Sequence, residues 1–475
     1  MRKIVVFILS ICAFVGVKAQ SEVFPLYFSQ LGLEGTANYM GRAGAIGAVG
    51  GDIMSAHYNP AGLGIYRVAE MTFSAGLNFA NTSAFTNELG LKDDKTKLTF
   101  GNFGMVLPIK VDESSLKYVQ LSFGVNRLKT FSNNIAMSRD IVNNSFIDAV
   151  VMNDIVDYQD MENEFIRAGV VELDTNTYEI SSLFEAGTFN QFQRIQYNGS
   201  LNEFSFSWSG NLDDKLYWGI TTGIPFADMT TLTTLTESKI GADDEVIASY
   251  MHTKQQDLST VGVNLKLGAI FKPISPLRLG VAVHTPTYYS VTDDFSAIVK
   301  YEQTAGSIAP TFFYGIQTPF RFLASAAVVL GDISSSIVGS ISADYEYSDY
   351  SLMRFDFTED VLAEYEFNTS IEDIFRPAHT FRIGGEVKFG PFALRAGYAM
   401  EGNPYVEIQN DASMNYATFG FGYRKSKIGF DLAYVHSSGE SKYYWYDGAE
   451  TNRAIAETNM TEIHNIIQAT LVFKF

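Results

Sequence analysis

The sequence predicts an all-β fold: a transmembrane antiparallel β-barrel of about fourteen strands with a small N-terminal hatch, or plug, inside the lumen. Three observations predict it. Short segments of strict apolar/polar alternation recur from Met71 to the C-terminal Phe475. The connections between them alternate between short and long. A stretch rich in small residues and without alternation precedes the first of them.

At the N terminus, Arg2 and Lys3 precede an apolar run from Ile4 to Val17, and Val17-Lys18-Ala19 places small residues at the −3 and −1 positions of a cut after Ala19. Residues 1–19 therefore read as a cleaved signal peptide. The single cysteine, Cys12, lies inside this run, and a lipid anchor there would require a small residue where Ile11 stands. Once the peptide is removed no thiol remains, which excludes disulfide scaffolds, thiolate zinc sites and cysteine nucleophiles. The 475 residues carry 34 Lys+Arg against 53 Asp+Glu, a net charge of −19, with 46% hydrophobic and 14% aromatic residues. Such a chain is too apolar for an acidic disordered protein and too acidic for nucleic acid. The most hydrophobic later stretch, Phe322 to Leu330, is far shorter than the roughly 20 residues of a spanning helix. The choice is thus between a secreted soluble protein and a membrane barrel, the other fold that pairs every backbone group in lipid.

Residues 20–66 form the expected hatch region. Gly41-Arg42-Ala43-Gly44-Ala45-Ile46-Gly47-Ala48-Val49-Gly50-Gly51-Asp52 and Ser55-Ala56-His57-Tyr58-Asn59-Pro60-Ala61-Gly62-Leu63-Gly64 can pack compactly without a wide apolar face. The alternative is a flexible periplasmic leader. A fourteen-stranded barrel is wide enough to leak unless filled, which favours the plug. Asn59, Pro60, Ala61 and Gly62 are the candidate gating turn, Asn59 by bonding local backbone and Pro60 by stiffening it.

Residues 67–475 form the expected barrel. Ile467, Ala469, Leu471, Phe473 and Phe475 share one face, opposite Gln468, Thr470, Val472 and Lys474; Phe381, Ile383, Val387 and Phe389 alternate with Arg382, Gly384, Glu386 and Lys388. Strands are expected near 70–80, 97–108, 117–130, 202–209, 215–225, 258–272, 276–287, 318–331, 335–349, 379–389, 392–400, 414–424, 428–436 and 463–475. Short connections such as Gly210 to Asp214, Pro273 to Ser275, Asp332 to Ser334, Gly390-Pro391 and Lys425 to Lys427 then alternate with long ones, as outer-membrane barrels require. The largest connection, 131–201, is too long to lack structure, and 141–160 has helical spacing. Tyr288, Tyr289, Tyr398, Tyr434 and Tyr444 are candidates for interfacial aromatic girdles.

The alternation points Lys266, Arg278, His284, Asp344, Glu346, Arg382, Glu386, Lys388, Arg395, Arg424 and Asp431 inward. Most such charges would pair with one another to fix plug and wall. Arg278, Arg382, Arg395 and Lys266 are the candidate cations for a carboxylate-bearing ligand. His436-Ser437-Ser438 is the one Ser/His arrangement considered for hydrolysis, and it lacks an elbow motif or orienting acid. No metal-ligand cluster or cofactor motif is expected.

The runs Gly41 to Ala45 and Tyr58-Asn59-Pro60-Ala61-Gly62 resemble the hatch of the long-chain fatty-acid outer-membrane transporter (FadL/TodX) family. Pro276 to Val281, His379 to Glu386, Leu394 to Tyr398 and Gly402-Asn403-Pro404-Tyr405 resemble its strands, in order and across nearly the whole chain. The resemblance implies a monomeric barrel in the outer membrane of a Gram-negative cell that takes up fatty-acid-like hydrophobic molecules and releases them after a hatch shift, sideways through the wall. It implies contact with outer-membrane lipids, and the alternating last strand ending in Phe475 matches the pattern used by the barrel-assembly machinery. The loops depart from the enterobacterial pattern, which leaves the substrate open. A porin, or a surface binding or adhesion barrel, is the alternative function.

Overall fold

The computed structural model describes residues 23–86, 89–111, 115–142, 145–147, 163–174, 180–184, 186–331, 337–357, 360–407, 411–445 and 457–475. The expected signal peptide, the turn at 332–334 and most of the expected helix over 141–160 lie outside them.

In chain order the strands are β1 (Glu70–Thr86), β2 (Leu89–Lys110), β3 (Leu116–Thr130), β4 (Asn133–Val142), β5 (Val171–Leu173), β6 (Ile180–Ser182), β7 (Thr188–Leu212), β8 (Leu216–Ile240), β9 (Val246–Phe271), β10 (Leu277–His284), β11 (Tyr288–Tyr301), β12 (Thr304–Ile308), β13 (Thr311–Gln317), β14 (Arg321–Leu330), β15 (Ile337–Asp349), β16 (Arg354–Asp356), β17 (Pro377–Phe389), β18 (Phe392–Glu401), β19 (Met414–Lys425), β20 (Ile428–Tyr444) and β21 (Glu457–Lys474). Pairing shows that β3 with β4, β10 with β11, β12 with β13 and β14, and β15 with β16 each continue one wall strand. The small β5–β6 hairpin stands apart. The wall therefore has 14 antiparallel strands. It is closed by β1 against β21, from Glu70↔Lys474 to Thr86↔Thr458.

Where alternation is strict, the exposed face of the strand is the apolar one. On β21, Ile467 and Leu471 are each 42% exposed, while Gln468 and Thr470 are 2% and 1% exposed. A soluble sandwich would show the reverse; an apolar exterior around a polar interior fits a barrel in lipid. Tyr288, Tyr398 and Tyr434 point outward as expected of girdle residues, whereas Tyr289 turns into the lumen and packs on Phe28 with ring centroids 5.5 Å apart.

Several connections expected to be long are strand. Residues 133–142 and 188–201, expected inside the connection 131–201, extend the wall as β4 and the first half of β7. β7, β8 and β9 run 25, 25 and 26 residues, where a crossing needs about 9–11. The excess lies at the end opposite the short turns, beyond the length a crossing needs, so neither face there must be apolar, and alternation fades. Thr230, Thr231, Thr233 and Thr234 of β8 illustrate this: β-branched residues keep the strand without marking a face.

The helices are few. The hatch holds α1 (Phe24–Ser29), α2 (Ala37–Met40), α3 (Ser55–Tyr58) and a 3₁₀ turn over Pro60–Ile65. The long-loop end carries α4 (Glu164–Arg167) and α5 (Val361–Ile374), the latter started by Asp360 accepting from the Ala363 N–H. Hatch residues Leu33, Ala37, Met40, Ala43, Ile46 and Met54 pack on Ala282, Leu323, Ala399 and Val435 of the wall. The segment is a plug held in the lumen, not a loose leader.

Candidate functional site

The hatch is seated by its backbone as much as by its side chains, because small residues let the main chain reach the wall. Thr36 starts α2 by accepting from the Tyr39 N–H and donates to Asp52. The Asp52 carboxylate also accepts from Asn38 Nδ2 at 2.6 Å and from the Met54 N–H at 2.9 Å, tying two halves of the plug together. The Asn59 turn forms the seam. Asn59 Oδ1 accepts from the Ala61 N–H at 3.2 Å, and Nδ2 donates to the Gly47 carbonyl at 2.7 Å. Pro60 opens the 3₁₀ turn, Ala61 is fully buried, and Gly62 lies where a Cβ would meet Ser55 Oγ at 2.6 Å. On the wall, a Cβ on Gly219 would collide with the Pro60 carbonyl and one on Gly268 with Asn59 Oδ1. Glycine at those two positions lets the turn lie flat on β8 and β9.

The inward charges are largely paired. Lys266 bonds Glu203, which also accepts from His57 Nδ1 at 3.2 Å. Burial and the Lys266 charge push His57 below its ordinary value, against the opposing pull of Glu203. Arg382 donates to Glu346 at 2.7 Å and to the Tyr58 hydroxyl at 2.7 Å, and Arg321 donates to the other Glu346 oxygen. Arg395 bridges Glu386 (2.6 Å) and Asp431 (2.9 Å), and Arg424 reaches Asp431 at 2.5 Å. Removing one partner of such a buried set leaves an uncompensated charge, so these pairs act as struts. Three of the four candidate ligand cations, Lys266, Arg382 and Arg395, are engaged in this way. Arg278 instead donates to the hatch carbonyl of Val49 at 2.7 Å. His284 bonds the Tyr58 carbonyl, and Asp344 accepts from the Gly47 N–H. His436 bonds Asn465 while its neighbour Ser437 faces the lumen, so alternation puts those two on opposite faces of β20 and leaves Ser438 on the His436 face.

On the long-loop side of the hatch lies a cavity of about 520 Å³. Phe24, Tyr27, Leu31, Phe131, Tyr197, Met229, Met414 and Met460 belong to its apolar lining, and Lys129, Lys442, Glu34, Glu401, Glu440, Glu462 and His464 to its charged and titratable lining. None of the four cations expected to meet a ligand lines it; Lys129 does. Its ammonium donates to the Gln30 carbonyl at 2.9 Å and lies 5.8 Å from the Phe131 ring centre.

Beside this cavity the hydrogen-bond ladder of the wall is interrupted. β2 and β3 share a ladder from Lys110↔Tyr118 to Asn102↔Asn126 and no further, although β2 continues to Leu89 along β1. β3 stays with β7 through a register shift at Arg127/Lys129. The hatch covers the freed edge of β3. Gly32 N–H donates to the Leu128 carbonyl at 2.9 Å, and the Glu34 carboxylate accepts from the Thr130 N–H at 2.7 Å and its hydroxyl at 2.9 Å. Further from the short turns, Lys95 donates to the Tyr197 carbonyl and Asp93 pairs with Arg194 at 2.8 Å across the same gap. Sequence reading missed Glu34 and Lys129, whose roles depend on a break in pairing that no local pattern marks.

No family model matches the sequence, and no curated protein matches it. Solved structures do. A Pseudomonas aeruginosa FadL homologue superposes with a TM-score of 0.57 at 14% identity, over 94% of this chain and 99% of that one. The Pseudomonas putida toluene transporter TodX gives 0.53 at 11% identity, over 94% and 99%. The Ralstonia pickettii toluene transporter TbuX gives 0.51 at 14% identity, over 93% and 99%. At such identities the likeness speaks to architecture, and nearly full coverage of both chains means that hatch segment and wall are compared together. This chain has the fold of the FadL homologue and of the toluene transporters TodX and TbuX.

Proposed function

We propose that the protein is an outer-membrane channel for the uptake of hydrophobic compounds, fatty-acid-like or aromatic, through a plugged barrel. The observation that carries this reading is the apolar cavity between the hatch and the break in the β2–β3 ladder: a ligand held there is one hatch segment away from a lateral exit. An apolar cavity with a few convergent polar groups is the usual form of a small-molecule site. A porin would need an open lumen, and here the lumen is filled. The reading gives the chain no catalytic step and no cofactor. Asn59 to Gly62 form the turn that holds the hatch seated, Lys266, Arg382 and Arg395 brace it, and Lys129 meets a carboxylate. The chain acts as a monomer whose wall closes on itself; residues 1–19 direct export, and the outward Phe475 serves barrel assembly.

Calorimetric titration of the purified protein with oleate and with toluene tests the reading. Saturable binding of at least one, weakened at least tenfold by Met460→Trp, is expected. Binding of neither contradicts it. The double variant Asn59→Ala with Pro60→Ala is expected to impair uptake of the bound compound by cells while inserting correctly; unchanged uptake would remove the turn from the mechanism.

A further inference from the structure

At the short-turn end, the hatch and wall enclose a second cavity of about 380 Å³, beside the Gly390-Pro391 turn. Its chemistry differs from that of the apolar cavity. Four carboxylates line it, and each has partners: Asp52 with Thr36, Asn38 and Met54; Glu70 with Tyr66 and Lys474; Glu386 with Lys388 and Arg395; Asp431 with Arg395 and Arg424. Two further cations there, Arg42 and Arg278, make no ion pair within 4 Å among the described residues, although the Arg42 charge acts on Glu386. Arg42 donates to the Asn38 carbonyl and side chain, and Arg278 to the Val49 carbonyl. The six cations exceed the four carboxylates by two charges, in a chain whose net charge is −19. Two buried guanidinium donors, Arg278 Nε and Arg424 Nη1, have no acceptor among the described residues.

Buried donors are nearly always satisfied, and an arginine fork matches the spacing of oxyanion oxygens. We propose that this vestibule binds a small oxyanion, a carboxylate or phosphate group, between Arg278 and Arg424 of the wall and Arg42 of the hatch. The site does not touch the apolar cavity, and its occupancy does not depend on transport. A bound oxyanion bridges plug and wall and holds the hatch seated.

The full chain in detergent, at constant ionic strength set with chloride, is titrated calorimetrically with inorganic phosphate and separately with octanoate. Saturable binding of at least one probe is expected, weakened at least tenfold in Arg278→Gln. Phosphate binding identifies a free oxyanion as the ligand class; octanoate binding without phosphate binding, weakened by Arg278→Gln and not by Lys129→Met, identifies the carboxylate of an amphipathic acid, whereas octanoate binding weakened by Lys129→Met alone belongs to the apolar cavity and counts against the proposal. Because Arg278→Gln also removes a hatch contact, Lys388→Gln at the exposed rim provides a second variant, expected to weaken binding severalfold in an intact barrel. Absence of saturable binding by both probes, or affinities unchanged in both variants, overturns the proposal.

Discussion

Asn59→Ala probes the hatch at the side chain that joins its last turn to Gly47. The substitution removes two buried hydrogen bonds, Nδ2 to the Gly47 carbonyl and the Ala61 N–H to Oδ1, and adds no bulk. Loss of a capping side chain costs about 1 kcal/mol. Leaving the buried Gly47 carbonyl without its donor costs a further ~1–3 kcal/mol. A combined ~3 kcal/mol, spent inside the plug, shifts the balance between the intact hatch and a locally unfolded one, which leaves its seat, by roughly 100-fold. The wall contributes none of these bonds, so the barrel itself should be as heat-resistant as the parent. In planar bilayers the variant is expected to open about two orders of magnitude more often. Its folded state is verified by the shift in electrophoretic mobility on boiling. An open probability within threefold of the parent, in a protein with intact barrel mobility, would refute the assignment of Asn59 as the seat of the hatch.

Other expected outcomes concern the remaining contacts. Glu34→Ala leaves the Thr130 N–H unpaired at the freed edge of β3, costing ~1–3 kcal/mol, and should raise maleimide labelling of a Leu31→Cys reporter about tenfold or more; unchanged labelling means the hatch does not guard that edge. Lys129→Met should weaken oleate binding and spare toluene, since only the former presents a carboxylate; equal loss of both would make Lys129 structural. Gly219→Ala should push the Pro60 carbonyl off β8 and raise channel opening without loss of the barrel, as read by the same conductance assay. The turn residue Asp214 ties Arg67, just before β1, to Lys117. Partial burial raises its carboxyl, but hydrogen bonds from Asn211, Lys117 and Arg67 outweigh this and hold it at about 2. A depressed value means the tie is fully present above the ordinary aspartate value of about 3.9 and lost only as pH falls toward 2. Hydrogen exchange at residues 64–67, corrected for intrinsic rates, should therefore be flat from pH 7 to 5; loosening complete by pH 5 contradicts this sign.

Much of the wall was legible because lipid and lumen impose opposite demands on alternate residues. β21, with Ile467 and Leu471 out and Gln468 and Thr470 in, reads directly from its pattern. The pattern ends where lipid ends, so the outer halves of β7, β8 and β9 read as loops, and Tyr289 read as a girdle residue although it belongs to the lumen. The Asn59 turn was legible in part: Asn before Pro signals a local backbone bond, and Ala61 accounts for it, but the bond to Gly47, 12 residues away, requires the folded plug. The inward charges were legible as a set, and their pairing was not, because Lys266 and Glu203 meet only through strand register. Lys129 and Glu34 were invisible for a related reason. Their contacts exist only because the β2–β3 ladder stops at Asn102↔Asn126, an event of registry between strands rather than of composition.

The most direct measurement is single-channel conductance of the refolded protein in a planar bilayer, with and without residues 20–66. A full-length barrel that stays closed and a deletion that conducts steadily are the expected results. Large steady conductance in the intact protein would contradict a plugged channel, and with it the uptake route proposed here.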